Sequence, residues 1–313
     1  MHSLLFTSIP PRLEGIRFEP GRPESPQAVT IRSWIAAGFQ PVSINVEREA
    51  AGRPWFERAL GEHGVESVVL PDDPGGHDRG PLCPFSDFLR AIRDRAADAP
   101  AVIINADVRL AADPDRPLAK LVNELAVGEQ AVAQRTDLAA RVDGSPRQTV
   151  HRHGFDFLAF RGSWVDRIQE FLAPALAFGL PWWDHYLPLA LIACGCRTKL
   201  VHPDWCLHRA HVGGWSWRQY CRVGRFAMRH FESALRRQSA ASPSQGWLEM
   251  LDLETVPGGL TGPIGGHVRR IATHDATPDV VAVHILARLA AANVRLILQS
   301  AIHGPYPPAM HHR

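Results

Sequence analysis

The chain has 313 residues, enough for one large domain or for one domain with an extension. Its 34 basic and 32 acidic residues leave a formal charge of only +2 with no basic block, which excludes the footprint of a nucleic-acid binder and a polybasic membrane patch, so a small soluble partner is the default. No apolar run reaches the ~18 residues of a membrane span, the start lacks a signal peptide's basic n-region before Pro10-Pro11-Arg12, and five cysteines outside any zinc-ribbon spacing suit reduced thiols in a cytoplasm.

The first half predicts alternating strands and helices with short connections, the pattern of an α/β sheet. Ser3 to Ser8 is the first strand. Ser25 caps a helix with Pro26 at its first position, Ala28, Ile31 and Ile35 line one face, and Gly38 supplies the stop. Pro41 to Val46 is a strand, Pro54 opens a helix that ends near Gly64, and Ser67 to Leu70 is a third strand. Residues 71–84 are rich in Pro, Gly and Asp and form a loop. Phe85, Phe88, Leu89 and Ile92 then mark an amphipathic helix leading into Ala101-Val102-Ile103-Ile104, a β-branched run too short for an ordinary helix.

Beyond that run the spacing predicts a helix over Leu118–Val127, strands over Ala131–Arg135 and Phe155–Arg161, a helical Trp164–Leu172, a helix opened by Pro181-Trp182-Trp183-Asp184 and running through Ile192, and a strand at Thr198–Val201. From about Trp215 the chain is mainly helical, with a connecting segment from Gln238 to Gly266 and a packing helix from Asp279 to Ser300, whose Arg288 and Arg295 interrupt the longest apolar stretch. There is no internal repeat. Neither Gly-x-Gly-x-x-Gly nor Gly-x-x-x-x-Gly-Lys-Ser/Thr occurs, which argues against a Rossmann dehydrogenase and a P-loop enzyme.

The apolar run ends in Asn105-Ala106-Asp107. A strand buried on both faces that delivers a carboxylate at its carboxyl end puts the acid where ligands of such sheets bind. A hard divalent cation shared between one or two carboxylates and substrate phosphates fits that position, so the triplet points to a phosphorylated substrate, although turn formation or helix capping explains an acid there equally well.

Four motifs follow one another: Phe6-Thr7-Ser8-Ile9-Pro10-Pro11-Arg12, Asn105-Ala106-Asp107, Gly154-Phe155-Asp156-Phe157 with Leu158-Ala159-Phe160, and Pro181-Trp182-Trp183-Asp184. Histidines at 202, 208 and 211 come after them. This order resembles the GT-A fold glycosyltransferases, the nucleotide-diphospho-sugar transferase superfamily. The resemblance covers about residues 1–215. It implies a GT-A-like, mostly parallel mixed sheet flanked by helices as a catalytic domain over 1–215, with a helical C-terminal extension over 216–313, acting on a nucleotide-sugar donor and a glycan or other hydroxyl acceptor.

In that family an Asp-x-Asp-type motif binds a divalent metal, Mn²⁺ or Mg²⁺, and a late histidine sometimes completes the site. Here the first acid is Asn105, so the resemblance implies Asp107 as direct ligand and Asn105 on ribose or a metal-bound water. It also implies that Thr7, Ser8, Pro10 and Asn45 hold the nucleoside, each of them equally explained as an ordinary turn residue. His208 is the preferred histidine ligand because it comes sooner after the strand than His211. Asp184, at a helix start, suits a general base that stays ionised, with helix capping as the plain alternative. Trp182 and Trp183 suit a sugar-stacking platform or, equally, a core pair. Asp156, a buried acid in need of a partner, suits contact with donor or acceptor hydroxyls. Two other functions fit part of the pattern: a metallohydrolase on Asp107, His202, His208 and His211, and a GT-A-like carbohydrate-binding module without turnover, for which Asn105 is the hint.

Overall fold

The computed structural model describes residues 3–209 except 14–15, 18–24, 51–52, 73–81, 112–117, 141–145, 151–154 and 175, together with positions scattered between 223 and 237 and the pair Ile302–His303. The expected helix over Asp279–Ser300, the segment Gln238–Gly266, Gly154, His211 and most of the 71–84 loop lie outside the described residues.

The chain runs β1 (Ser3–Thr7), α1 (Pro26–Ala36), β2 (Phe39–Val46), a single helical turn Glu47–Ala50, α2 (Pro54–Glu62), β3 (Glu66–Leu70), α3 (Phe85–Ala96), β4 (Pro100–Ile104), β5 (Val108–Leu110) and α4 (Leu118–Asn123). It continues through β6 (Glu129–Ala133), β7 (Thr136–Ala140), β8 (Pro146–Val150), β9 (Phe157–Arg161), a helical turn Trp164–Arg167, α5 (Trp183–Ala193), β10 (Arg197–Val201) and β11 (Cys206–Arg209). Among the described residues the main sheet has the order β3-β2-β1-β4-β9-β6-β10, closed at one edge by Ile302–His303. Its pairs are parallel except for those of β9, which runs antiparallel to both β4 and β6. This is the mostly parallel mixed α/β sheet that the alternation predicts.

The apolar runs are continuous because both faces of the sheet are covered. Leu5, Val102 and Ile104 point into one cluster with Ile31, Trp34 and Phe56; Phe6, Ala101 and Ile103 point into the other with Phe88, Ile92 and Trp183. Adjacent strand residues alternate between the two, so each strand holds helices on both sides. Val223, Ala227, Phe231 and Ala234 belong to the second cluster, and Phe231 meets Phe171 and Tyr186 at ring-centroid distances of 5.1 and 5.5 Å. These four residues therefore pack onto the core formed by the sheet and its helices.

Helix α1 starts as expected: Ser25 accepts from the Ala28 N–H, Pro26 takes the first turn, and Gly38 ends the element at φ 92°. Its buried face differs from the expected one. Gln27, Ala28, Thr30, Ile31 and Trp34 are buried, while Ile35 is 44% exposed. Trp34 anchors the helix because its ring reaches the sheet while its indole N–H finds a carbonyl. Three further expectations change: the Leu118–Val127 helix stops at Asn123, the Ala131–Arg135 strand lies two residues earlier at Glu129–Ala133, and Trp164–Leu172 divides into a helical turn and a 3₁₀ segment, Gln169–Phe171.

A second sheet of four short strands, β8-β7-β11-β5, is absent from the sequence expectations. Its strand β11 runs antiparallel to β5 and parallel to β7, and its register pairs His208 with Val108 on one side and with Asp137 on the other. It carries much of the site.

Candidate functional site

Asn105-Ala106-Asp107 lies immediately past the carboxyl end of β4 and is turned into β5 by a bond from the Val108 N–H to the Asn105 carbonyl at 3.1 Å. Helix α1 fixes this corner. Gln27 donates to the Ala106 carbonyl at 3.1 Å, Trp34 donates to the Val108 carbonyl at 2.8 Å, and Ser33 accepts from the Leu110 N–H at 3.0 Å. Backbone groups left over where one strand stops and another starts need partners away from water, and α1 supplies them. The corner that carries Asp107 is thereby held by side chains of α1 on one side and by the β5–β11 ladder on the other.

Asp107 meets His208 of the second sheet, with His208 Nε2 3.3 Å from Asp107 Oδ2. The other ring nitrogen, Nδ1, lies 2.7 Å from Asp137 Oδ1, directly across the β7–β11 pair. Burial pushes the Asp137 carboxyl up, but the Arg135 guanidinium and the His208 ring outweigh it and hold the group below the usual carboxylate range. An ionised carboxylate only accepts, so Nδ1 is the donor and carries the proton. The Nε2 side of the ring then faces the second acid, Asp107.

Arg135 ties the patch to the main sheet. Its Nε donates to Asp137 at 2.8 Å and its Nη1 donates to Asp156 at 2.9 Å. Burial works against its charge, but the acids Asp156 and Asp137 keep it firmly protonated. Asp156 stands just before β9 rather than inside the strand, and it is 1% exposed. Because β9 runs antiparallel to β4, with Phe157 paired to Ile104, the start of β9 lies at the same edge as the end of β4. Asn105 donates its Nδ2 to Asp156 Oδ1 at 2.6 Å, the oxygen that Arg135 also reaches, whereas Asp156 Oδ2 is buried without a hydrogen bond. The partner that a buried acid requires is thus a guanidinium and a carboxamide, both on one oxygen.

Asp184 sits in the first turn of α5, 3.9 Å from His185 Nε2. Burial pushes its carboxyl above the usual range and the like charge of Asp156 adds to that, with His185 and Arg135 opposing. The two tryptophans before it require a correction. Trp182 is 2% exposed and Trp183 3% exposed, and the Trp183 ring lies 5.1 Å from Phe178 and 6.3 Å from Phe85. Both rings are buried, so they are core residues beside Asp184 and not an open platform for a sugar. Trp182 also has φ 89°, a left-handed backbone that a bulky residue adopts only where its surroundings enforce it.

The nucleoside-end residues divide in two. Ser8 and Pro10 are half-buried at the end of β1. Thr7 and Asn45 are wholly buried, and Asn45 is used up in holding the chain: it donates to the Ile9 carbonyl and to Glu49 Oε2, both at 2.9 Å, and accepts from Ser43. Asn45 therefore shapes the loop after β1 and does not offer itself at a surface. Burial pushes the Glu49 carboxyl up, against the bonds from Asn45 and the Val46 backbone.

His202 stands apart from His208. It caps the 3₁₀ turn Pro203–Trp205, its Nδ1 accepting from the Asp204 N–H at 3.3 Å. Among the described residues no group of three His, Cys, Asp or Glu side chains is arranged to hold a metal ion, and His211 of the hydrolase expectation lies outside them. Two ligands do lie together. The 3.3 Å between Asp107 Oδ2 and His208 Nε2 suits neighbouring ligands of one divalent ion, whose remaining positions would be taken by phosphate oxygens and water. Arg135 and Asp137, which sequence reasoning passed over, complete the arrangement. The signal for them was the period-two spacing of two opposite charges directly after a buried strand.

Among the described residues no helix is long and apolar enough to cross a membrane. No family model matches the chain, and no curated protein matches it. Of solved structures, one described as a glucose-1-phosphate thymidylyltransferase from Bacillus anthracis in complex with sucrose superposes with a TM-score of 0.42 at 12% identity, covering 74% of this chain and 95% of that one. HddC from Yersinia pseudotuberculosis superposes at 0.38 with 8% identity over 71% of this chain and 98% of its own, and its complex with GMP-PN at 0.33 with 8% identity over 53% and 79%. Overlaps this loose carry no weight for function.

Proposed function

We propose that the chain is a glycosyltransferase that moves a sugar from a nucleotide-diphosphate donor to a hydroxyl acceptor with the help of Mn²⁺ or Mg²⁺, its catalytic unit spanning residues 1–215 and residues 216–313 forming a mainly helical extension that returns the edge strand Ile302–His303 to the main sheet. The observation that supports this best is the pairing of Asp107 with His208 at the carboxyl edge of a parallel sheet, beside a second, desolvated carboxylate at Asp184. Asp107 and His208 would hold the cation. When bound, it supplies positive charge to the diphosphate leaving group.

Asp184 takes the proton. As the acceptor oxygen bonds to the anomeric carbon, the bond from that carbon to the diphosphate oxygen breaks, the hydroxyl proton passes to the Asp184 carboxylate, and the nucleoside diphosphate leaves. Such a single displacement inverts the anomeric centre. A carboxylate pushed above its usual range is a stronger base at neutral pH than an ordinary one, which suits the role. Asp156 is buried beneath the site and holds Asn105 and Arg135 at the edge of the sheet through one carboxylate oxygen. Ser8 and Pro10 border the nucleoside.

The test is calorimetric titration of the full chain with UDP, GDP, ADP and dTDP, with and without Mn²⁺. The expected result is one nucleotide bound in a metal-linked manner, followed by turnover of the matching nucleotide sugar. Nucleotide affinity indifferent to metal, or none at all, would sink the proposal.

A further inference from the structure

Three observations converge on Asp137. Its carboxylate lies 2.7 Å from His208 Nδ1, the register of two strands places the two residues opposite each other, and the imidazole is 3% exposed between this acid and Asp107. Opposite residues of a strand pair share a face of the sheet, so the contact is set by the fold and does not depend on chance side-chain rotation. An imidazole has two edges. With Nδ1–H donated to an acceptor-only carboxylate, the Nε2 edge of the ring faces Asp107 Oδ2, 3.3 Å away. A carboxylate behind a metal-binding histidine fixes both the tautomer and the ring plane and makes the ring a better donor.

We propose that Asp137 is a positioning residue that fixes the plane of the His208 ring with Nε2 aimed at Asp107, so that this pair is organised for a divalent cation before the donor arrives. The proposal rests on the metal-dependent reading above and adds a residue to it. Asp137 touches neither donor nor acceptor; it acts through His208.

Arg135 also binds Asp137, so the experiment must separate an effect through the histidine from one through the guanidinium. Mn²⁺ alone is titrated into the full-length protein, with the free ion counted by electron paramagnetic resonance, for the wild type, Asp137→Asn, His208→Ala and the double variant. The expected result is a roughly 10- to 100-fold weaker affinity in Asp137→Asn, with the double variant no weaker than His208→Ala, because the acid has nothing left to orient. An equal loss from Asp137→Asn in both backgrounds would overturn the proposal by assigning the acid to Arg135. Unchanged affinity in Asp137→Asn would overturn it while leaving metal dependence intact, whereas a wild-type protein that binds no Mn²⁺ would remove both. Nitrogen-15 shifts of His208 in the Mg²⁺-loaded wild type provide a check that needs no variant. A protonated Nδ1 with an unprotonated Nε2 is expected, and the reverse tautomer refutes the assignment.

Discussion

The second-sheet patch and the start of α5 each present an aspartate to the same edge of the main sheet, and they treat it in opposite ways. In the patch, Asp137 is surrounded by a guanidinium, an imidazole and cross-strand neighbours, and its carboxyl stays below the usual range. At the start of α5, Asp184 rises out of an aromatic core, and burial lifts its carboxyl above that range. Identical side chains thereby acquire different chemistry from their surroundings. A partnered acid keeps its charge and organises cations; a desolvated acid holds a proton more readily and can exchange it.

The largest effect expected from breaking this contrast is at Asp107. Asp107→Ala abolishes transfer in an assay with the matching nucleotide sugar, while thermal unfolding stays within about 0.5 kcal/mol of wild type, since an acid at a strand end contributes little to stability. Full turnover in that variant would detach the patch from catalysis. Next comes Trp183→Ala, which costs about 3–5 kcal/mol of stability as a cavity opens beside Phe85 and Phe178. Denaturant unfolding measures it; a stable variant with weakened acceptor affinity would return Trp183 to the role of stacking platform.

Asp184→Asn lowers turnover by at least ~100-fold with donor affinity near wild type, read from kcat against the donor's Kd. The same variant should melt higher at neutral pH. Because the folded Asp184 holds its proton above the ordinary value of 3.8, the native state binds more protons in that window and loses stability as pH rises through it. Asparagine removes this penalty, and the difference in Tm vanishes below the unfolded carboxyl's range. Asp137 has the opposite sign: its contribution is present above the unfolded value and is lost as pH falls through its depressed one. The smallest effect is at the scaffold. Trp34→Phe deletes the bond to the Val108 carbonyl and costs about 1 kcal/mol, with a loss of turnover of about tenfold as the Asp107 corner loosens.

The sequence displayed the main sheet well because its strands are buried on both faces and stand out as apolar runs: β1, β2, β4 and β9 fall within two residues of their expected limits. It hid the second sheet. Thr136–Ala140 and Cys206–Arg209 are short, mixed in polarity and paired with strands far away along the chain, and local periodicity cannot show a partner 71 residues distant. Asp107 and Asp184 were legible as acids at element ends, and Asp156 as a buried acid in need of a partner. What each acid does depends on neighbours such as Arg135, Asn105 and His185, which only the folded arrangement brings together. Asn45 and the tryptophan pair misled for one reason: a polar or amphipathic residue beside a predicted site looks the same in sequence whether it faces outward or inward.

The second sheet also sets an order of assembly. Its central strand β11 ends at Arg209, whereas the strands it joins, β5 and β7, are complete by Leu110 and Ala140. A chain emerging from the ribosome can form β1, β2 and β4 early, with α1 already gripping the corner after β4, but His208 must appear before Asp107 and Asp137 acquire the ring between them. Closing contacts over such separations is slow relative to pairing neighbours. Until then Asp107 and Asp137 lack the imidazole that joins them, and the site comes into being with one of the last described strands to be made.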